Sequence, residues 1–425
     1  MKKVLLMLLM GLMALGASVK VYADARVDAL GTDIRQVEDL DLIWLYPNKV
    51  LQYKNTVDFR LNQGPWGGTV PAWNGNFGNG TGECGGVIAD ESSLGGVVGV
   101  YVNRPAYLNN AAGYTNLYGS NDFRDPLRAY WNPVGGTYDT TAYRVRNIVD
   151  VFYGQGIGGA DLGVHLNYGD NGVGSSPNPP EAANVGLALG LGFTGAGPFD
   201  ELNVHADYDM ESITDLNNNT NKNKDNGISD IKLGALGQIN VSTDNFVKAF
   251  ADLTIDQQNL KDLQGYGTSD STLVLGTSCS HKVNGGKGLV VTGLAFDWVN
   301  GTYTGYNVSP TPNFIENETN WNLVWNGSVE SELASWLTGR FGISKAIVAR
   351  AYDSTNLPTY FSNNHANVSF TGGFGINFQN FTLDTVIDMS TLENTIANVQ
   401  PGNGLLFTNS SNIVTVTEAD LRYKF

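Results

Sequence analysis

The chain predicts an all-β fold, a transmembrane antiparallel up-and-down β-barrel of about 14 to 16 strands. Three observations carry that expectation. Segments of roughly ten residues recur with apolar side chains at every second position, which is the strand period and not the helix period. Composition agrees: 52 glycines, 18 Phe and 19 Tyr accompany a charged fraction of only 16% over 425 residues, against about 25% in an ordinary soluble domain. The third observation is an N-terminal stretch laid out as an export signal.

That stretch comes first. Lys2 and Lys3 precede an apolar run from Val4 to Ala17, and the small-residue end VYA places cleavage after Ala23. Residues 1–23 are therefore read as a signal peptide. The run is shorter than the roughly 20 residues a membrane helix needs. No cysteine follows the cleavage point, so no lipid anchor is expected there. Cleavage removes three lysines and moves the formal charge from −16 to −19. Such acidity argues against nucleic acid, whose phosphates call for basic patches. No later stretch reaches about 18 uninterrupted apolar residues, so any further crossing must use strands.

Residues 24–49 form an N-terminal periplasmic or plug segment. Ile34, Val37, Leu40 and Ile43 share one face of a short helix that ends before Pro47. Two placements stay open: a partial plug in the barrel mouth, or a lead-in lying against the periplasmic rim.

Residues 50–425 are assigned to the barrel. From Phe199 to Met210, Leu202, Val204, Ala206, Tyr208 and Met210 share one face, and Glu201, Asn203, His205, Asp207 and Asp209 the other. From Ala183 to Gly195, Val185, Leu187, Leu189, Leu191 and Phe193 oppose only Asn, Gly and Ala. Similar alternation runs through Asp230–Val241, Trp321–Val329 and Asn367–Phe378. The stretches around Ile148 and Val290 break it, which leaves their register open. Long polar links at 62–86, 107–139, 217–227 and 306–318 contrast with tight turns elsewhere. That asymmetry belongs to outer-membrane barrels and is unusual in soluble sandwiches. The last segment, TVTEADLRYKF, sets Leu421, Tyr423 and Phe425 on one face against Glu418, Asp420, Arg422 and Lys424.

These features together resemble a Gram-negative outer-membrane β-barrel, porin-like, over essentially the whole exported chain. The resemblance implies that Leu421, Tyr423 and Phe425 are the assembly signal read by the barrel-assembly machinery. A second resemblance concerns ARVDALG, Ala25 to Gly31, followed by acidic residues and Tyr46-Pro47-Asn48. It is similar to the N-terminal segment of long-chain fatty-acid outer-membrane transporters, in which Asn-Pro-Ala usually follows instead.

With apolar faces to lipid, the opposite faces line the lumen. Selectivity candidates are Asp161, Glu201, Asp207, Asp209, Asp230, Asp252, Asp256, Glu330, Asp384, Asp388 and Arg340, with Lys232, Lys248, Arg422 and Lys424 as further cations. Carboxylates in a confined passage attract cations; equally, they can pair with the Arg and Lys residues and hold the lumen in register. His165 shares a face with Asp161, and His205 with Asp207, the juxtaposition a general base would use. No nucleophile stands in a recognisable motif, so no enzyme is expected. Residues 221–230 place acids and amides as a calcium loop would, but Gly227 falls one position late and Lys232 stands where an acid is needed. No metal or cofactor is expected. Cys84 and Cys279 are permitted to pair outside the cytoplasm, and the sequence leaves that open.

The function expected is passive diffusion of small polar solutes, cation-leaning, in the outer membrane of a Gram-negative bacterium. The partners expected are outer-membrane lipid, the assembly machinery, the solutes and a possible homo-oligomer. Two alternatives stand beside it: a fatty-acid-transporter-like conduit for hydrophobic compounds, predicting a narrow plugged barrel with a greasy pocket, and a structural or adhesion barrel acting through its loops.

Overall fold

The computed structural model describes residues 25–62, 82–90, 95–102, 149–170, 181–214, 226–260, 266–305, 314–354, 357–361, 368–387 and 416–425. The stretch read as a signal peptide, Asp388 and most of the long links lie outside the described residues.

Strands come in chain order: β1 (Thr56–Asn62), β2 (Gly82–Asp90), β3 (Gly96–Val102), β4 (Val149–Ile157), β5 (Ala160–Asp170) and β6 (Glu181–Thr194). Next are β7 (Glu201–Thr214), β8 (Asn226–Asn240), β9 (Asn245–Leu260), β10 (Tyr266–Val283), β11 (Gly288–Gly305) and β12 (Phe314–Ala334). The series ends with β13 (Leu337–Ser354), β14 (Leu357–Phe361), β15 (Ser369–Phe378), β16 (Phe381–Ile387) and β17 (Val416–Lys424). Each pairs antiparallel with its neighbours, and β1 pairs with both β2 and β17, so the sheet closes without a free edge. Closure matters because unpaired backbone groups cannot be tolerated in hydrocarbon. β14 and β15 both pair along β13, one at each end, so the seventeen segments occupy sixteen positions of an up-and-down barrel.

Short links gather at one rim. Gly158 and Gly159 turn β4 into β5 at φ 59° and 93°, a conformation that glycine adopts without steric cost. Ser335–Trp336 and Gln379–Asn380 do the same for β12–β13 and β15–β16. The outer face is apolar around the circumference: Phe59, Ile88, Val100, Leu166, Val185, Leu187, Leu189, Tyr208, Met210, Ile231, Leu233 and Leu294 are all exposed. A closed band of this kind suits lipid.

Many of the best-buried side chains lie outside the strands. Ala25, Leu30, Leu40, Leu42, Ile43, Tyr46 and Val50 are each 1% exposed or less. They belong to residues 25–53, which pack inside the barrel against β3–β6 on one side and β12–β17 on the other. This inner segment is not the single amphipathic helix the spacing predicted. An α-helix, α1 (Ala25–Leu30), stops at Gly31, whose φ is 56°. Two 3-10 helices follow, Leu40–Trp44 and Pro47–Tyr53. Enclosure on most sides leaves little solvent face for a helical stripe to oppose, and local caps take over: the Asp39 carboxylate accepts from the Leu40 N–H at 2.6 Å. The first strand accordingly begins at Thr56 and not at 50.

The two stretches of broken alternation acquire an explanation. In β4, Phe152 turns inward and packs with Leu40, Ile43, Val50, Val87, Val97 and Tyr101. In β11, Val291 packs with Leu30 and Val37. Both faces of these strands are apolar because lipid lies outside and the inner segment lies inside.

Candidate functional site

The wall is bare where the inner segment rests on it. A Cβ at Gly163 would stand 2.0 Å from the Asn48 nitrogen and 2.1 Å from the Pro47 carbonyl carbon. At Gly342 it would stand 2.0 Å from the Leu30 oxygen. Gly190 and Gly192 flank Asn48 in the same way, at 2.7 and 2.5 Å from its side-chain atoms. Asn48 then donates through Nδ2 to Asn203 Oδ1 at 2.7 Å. Only glycine admits such backbone-to-wall contact.

Charge pins the segment further. Buried Arg35 sits between Asp33 and the β9 carboxylate Asp252, with its guanidinium carbon 4.1 Å from the Phe250 ring centroid. Lys49 meets Glu201 of β7 and lies 3.4 Å from Glu38, which also accepts from Lys248 at 3.1 Å. Arg26 grips Glu330 with two bonds, at 2.8 and 3.0 Å, and Arg340 joins Glu330 (2.7 Å) to Asp384 (2.6 Å). Arg422 donates to Asp39 at 2.5 Å and to Asp58 at 3.4 Å, while the Ala25 N–H donates to Asp420 at 2.8 Å. Burial alone would raise the Glu38 pKa, but Lys248 and Lys49 outweigh it and hold the carboxyl at about 2.

The second feature of the lumen is a row of carboxylates. Asp58, Gly85, Tyr101, Asp150, Asn167, Gly186, Asp209, Asp230, Asp256 and Asp270 are successive lateral partners across ten adjacent strands, β1 to β10. Six of those ten positions are aspartates. The row climbs relative to the short-turn rim, because strands in a barrel tilt and stagger. Asp58 stands beside the start of β1, at the level of the inner segment, whereas Asp270 lies far up β10 towards the long-link end. Asn167 reaches over Gly186 to donate to Asp209 at 2.9 Å; a Cβ at Gly186 would collide with both. His205 reaches Asp252 over Gly234 by the same device. Lys232 enters the row from one step below, 3.3 Å from Asp209 and 3.8 Å from Asp207.

Thus Glu201, Asp252, Glu330, Asp384 and Arg340 lie with the inner segment, and Asp207, Asp209, Asp230 and Asp256 lie with the row. Asp161 is exposed at the short-turn rim. Leu421 and Tyr423 face outward, with the Tyr423 ring 4.5 Å from Phe381, and the Phe425 N–H donates to the Asn55 carbonyl at 3.0 Å to complete the rim. The histidines choose other partners than their strand neighbours. His165 lies 2.8 Å from Asp150, stacked on Phe152 at 4.3 Å, and His205 lies 3.0 Å from Asp252. For His165 the diagonal cross-strand neighbour is closer than Asp161, four residues away along the strand. His205 reaches a carboxylate two strands away because Gly234 between them carries no side chain. Cys84 and Cys279 are free, on β2 and β10. Residues the sequence reading passed over are Arg35, Glu38, Asp39 and Lys49 in the inner segment and Asp58, Asp150 and Asp270 in the row. A cavity of about 990 Å³ opens at the short-turn rim between the segment (Arg26, Gln36, Glu38) and the wall (Lys248, Lys282, Glu330).

No family model matches the chain, and no curated protein matches it. Among solved structures, its neighbours are Gram-negative outer-membrane β-barrel proteins. The toluene transporter TodX of Pseudomonas putida is 8% identical with a TM-score of 0.36, covering 96% of this chain and 97% of that one. The siderophore receptor PirA of Acinetobacter baumannii is 9% identical at 0.38, covering 78% and 61%, and the pyoverdine-bound FpvA of P. aeruginosa is 11% identical at 0.40, covering 58% and 40%. The chain thus spans less than two thirds of both receptors.

Proposed function

We propose that the protein is an outer-membrane conduit for small cationic solutes, closed at rest by residues 25–53 acting as a plug. The observation that carries this is the combination of a carboxylate-lined wall above and a segment fastened by buried ion pairs below. An open porin lumen does not accommodate such a segment, so passage requires it to shift. The neighbouring cavity at the short-turn rim gives it somewhere to move. The hydrophobic-conduit alternative shares the plug but asks for a greasy pocket. The apolar side chains inside are packed in clusters, Trp44, Tyr101 and Phe152 at ring separations of 4.7–6.0 Å and Tyr46, Leu236, Phe250 and Val274 with the inner segment's Val27, Ile34 and Leu42.

Planar-bilayer recording of the purified full chain tests the proposal. Wild type is expected to rest at low conductance, and Arg35→Met with Lys49→Met to carry a steady cation-selective current. A large steady current through wild type, or an anion-selective one through the variant, would count against it.

A further inference from the structure

The upper row has more to say than charge sign. Resting on the conduit reading above, we propose that Asp209, Asp230, Asp256 and Asp270, with Asp207 and Asn167, form a binding site for linear aliphatic polyamines. Four carboxylates stand on four adjacent strands in direct register. At about 4.8 Å per strand they span about 14 Å in a line. A chain of ammonium groups separated by three or four methylenes places its nitrogens about 5–6 Å apart, one strand step each.

Two observations beyond the acids point to a donor-bearing ligand. Thr272 is 3% exposed, shares the inner face two residues below Asp270, and its hydroxyl has no partner among the described residues. Asn167 is 5% exposed; its amide nitrogen is spent on Asp209, and its Oδ1 accepts nothing from the described residues. A buried acceptor without a donor is costly unless something supplies one. The chain also shows that an alkylammonium fits here, because Lys232 places its own between Asp207 and Asp209. Beside Asp207, Asp209, Asp230, Asp256 and Asp270 it is the one strand-borne cation at the level of the row among the described residues; Lys248 lies eight residues further down β9, against Glu38.

A compact metal ion suits the site less well. Among the described residues no three acidic, histidine or cysteine side chains converge as chelating ligands require. A row of monodentate carboxylates suits extended ammonium chains, each nitrogen donating to its nearest oxygen.

Isothermal titration of the detergent-solubilised full chain with spermidine, putrescine and MgCl2 tests this, alongside bilayer currents on the same preparation. Saturable spermidine binding, weakened at least tenfold in Asp230→Asn with Asp256→Asn and unchanged in Asp161→Asn, is the expected result. Binding of Mg²⁺ in preference to spermidine, or no spermidine binding, would overturn the site. Cation current without polyamine binding would sink the site and leave the conduit standing; spermidine binding without cation current in the plug-released variant would do the reverse. Circular dichroism of the double variant establishes that its barrel has formed.

Discussion

Gly163→Ala should release the plug. The new methyl group would stand 2.0 Å from the Asn48 nitrogen, where ordinary contact begins near 3.4 Å, so the Pro47–Asn48 backbone must retreat by about 1.4 Å. Backbone cannot swing aside as a side chain can, and overpacking of this kind costs about 1–3 kcal/mol. The methyl group touches the docked segment and leaves the wall's own hydrogen bonds intact, so most of the cost falls on docking. One to two kcal/mol changes an equilibrium by about 5–30-fold. The fraction of time spent conducting in a planar bilayer should rise by that factor, with faster proteolytic cleavage within residues 25–53. Gly156→Ala is the matched control: it faces inward on the same hairpin, and its Cβ would meet only Asp161 Oδ1 at 3.7 Å. If Gly163→Ala matched wild type and Gly156→Ala in both current and cleavage, backbone contact would not be what seats the plug.

Acid should loosen the same segment. Glu38 is held near 2, below its ordinary 4.5, so its contribution is fully present above about pH 4.5 and is lost as pH falls from there towards 2. With about a quarter of the side chain still wetted, the loss is on the order of 2 kcal/mol; Glu38→Gln should reduce the acid-dependent part of channel opening measured between pH 5 and 3. Arg35→Met leaves Asp33 and Asp252 buried against each other and should destabilise docking by about 3–5 kcal/mol, read as protease access; adding Asp252→Leu should recover part of it. On the outer face, Leu189→Arg should cost about 2–4 kcal/mol of barrel stability in urea titration of the lipid-reconstituted protein, while Leu189→Phe should cost little.

The strands were the legible part. Alternation in β6, β7 and β8 identified which side chains meet lipid, because a single lipid-facing period is written locally. The closing of β17 onto β1 was implied by the same pattern. The inner segment was only half legible: its apolar residues were visible, but its location depends on partners such as Glu330 and Asp420, some 300 to 400 positions away. A signal did exist. Inward Phe152 and Val291 spoil the alternation of β4 and β11, and an apolar residue facing a polar lumen implies that something apolar fills it. The pairing of the lumen acids was illegible, since Asp150–His165 and Asp252–His205 are set by register and not by spacing. The row from Asp58 to Asp270 likewise exists only once ten strands are aligned.

The bond from Ala25 to Asp420 orders events in time. The first residues of the inner segment fasten to β17 and, through Arg26, to β12, while its far end rests on β4 to β6. Its seat is therefore not complete until β17 has joined β1. Before that step only β3 to β9 are there to hold its far end, and the closed barrel supplies the rest of the seat in the act of closing. Permeability would then be restricted from the moment the protein is complete, with no interval in which an open pore stands unguarded in the membrane.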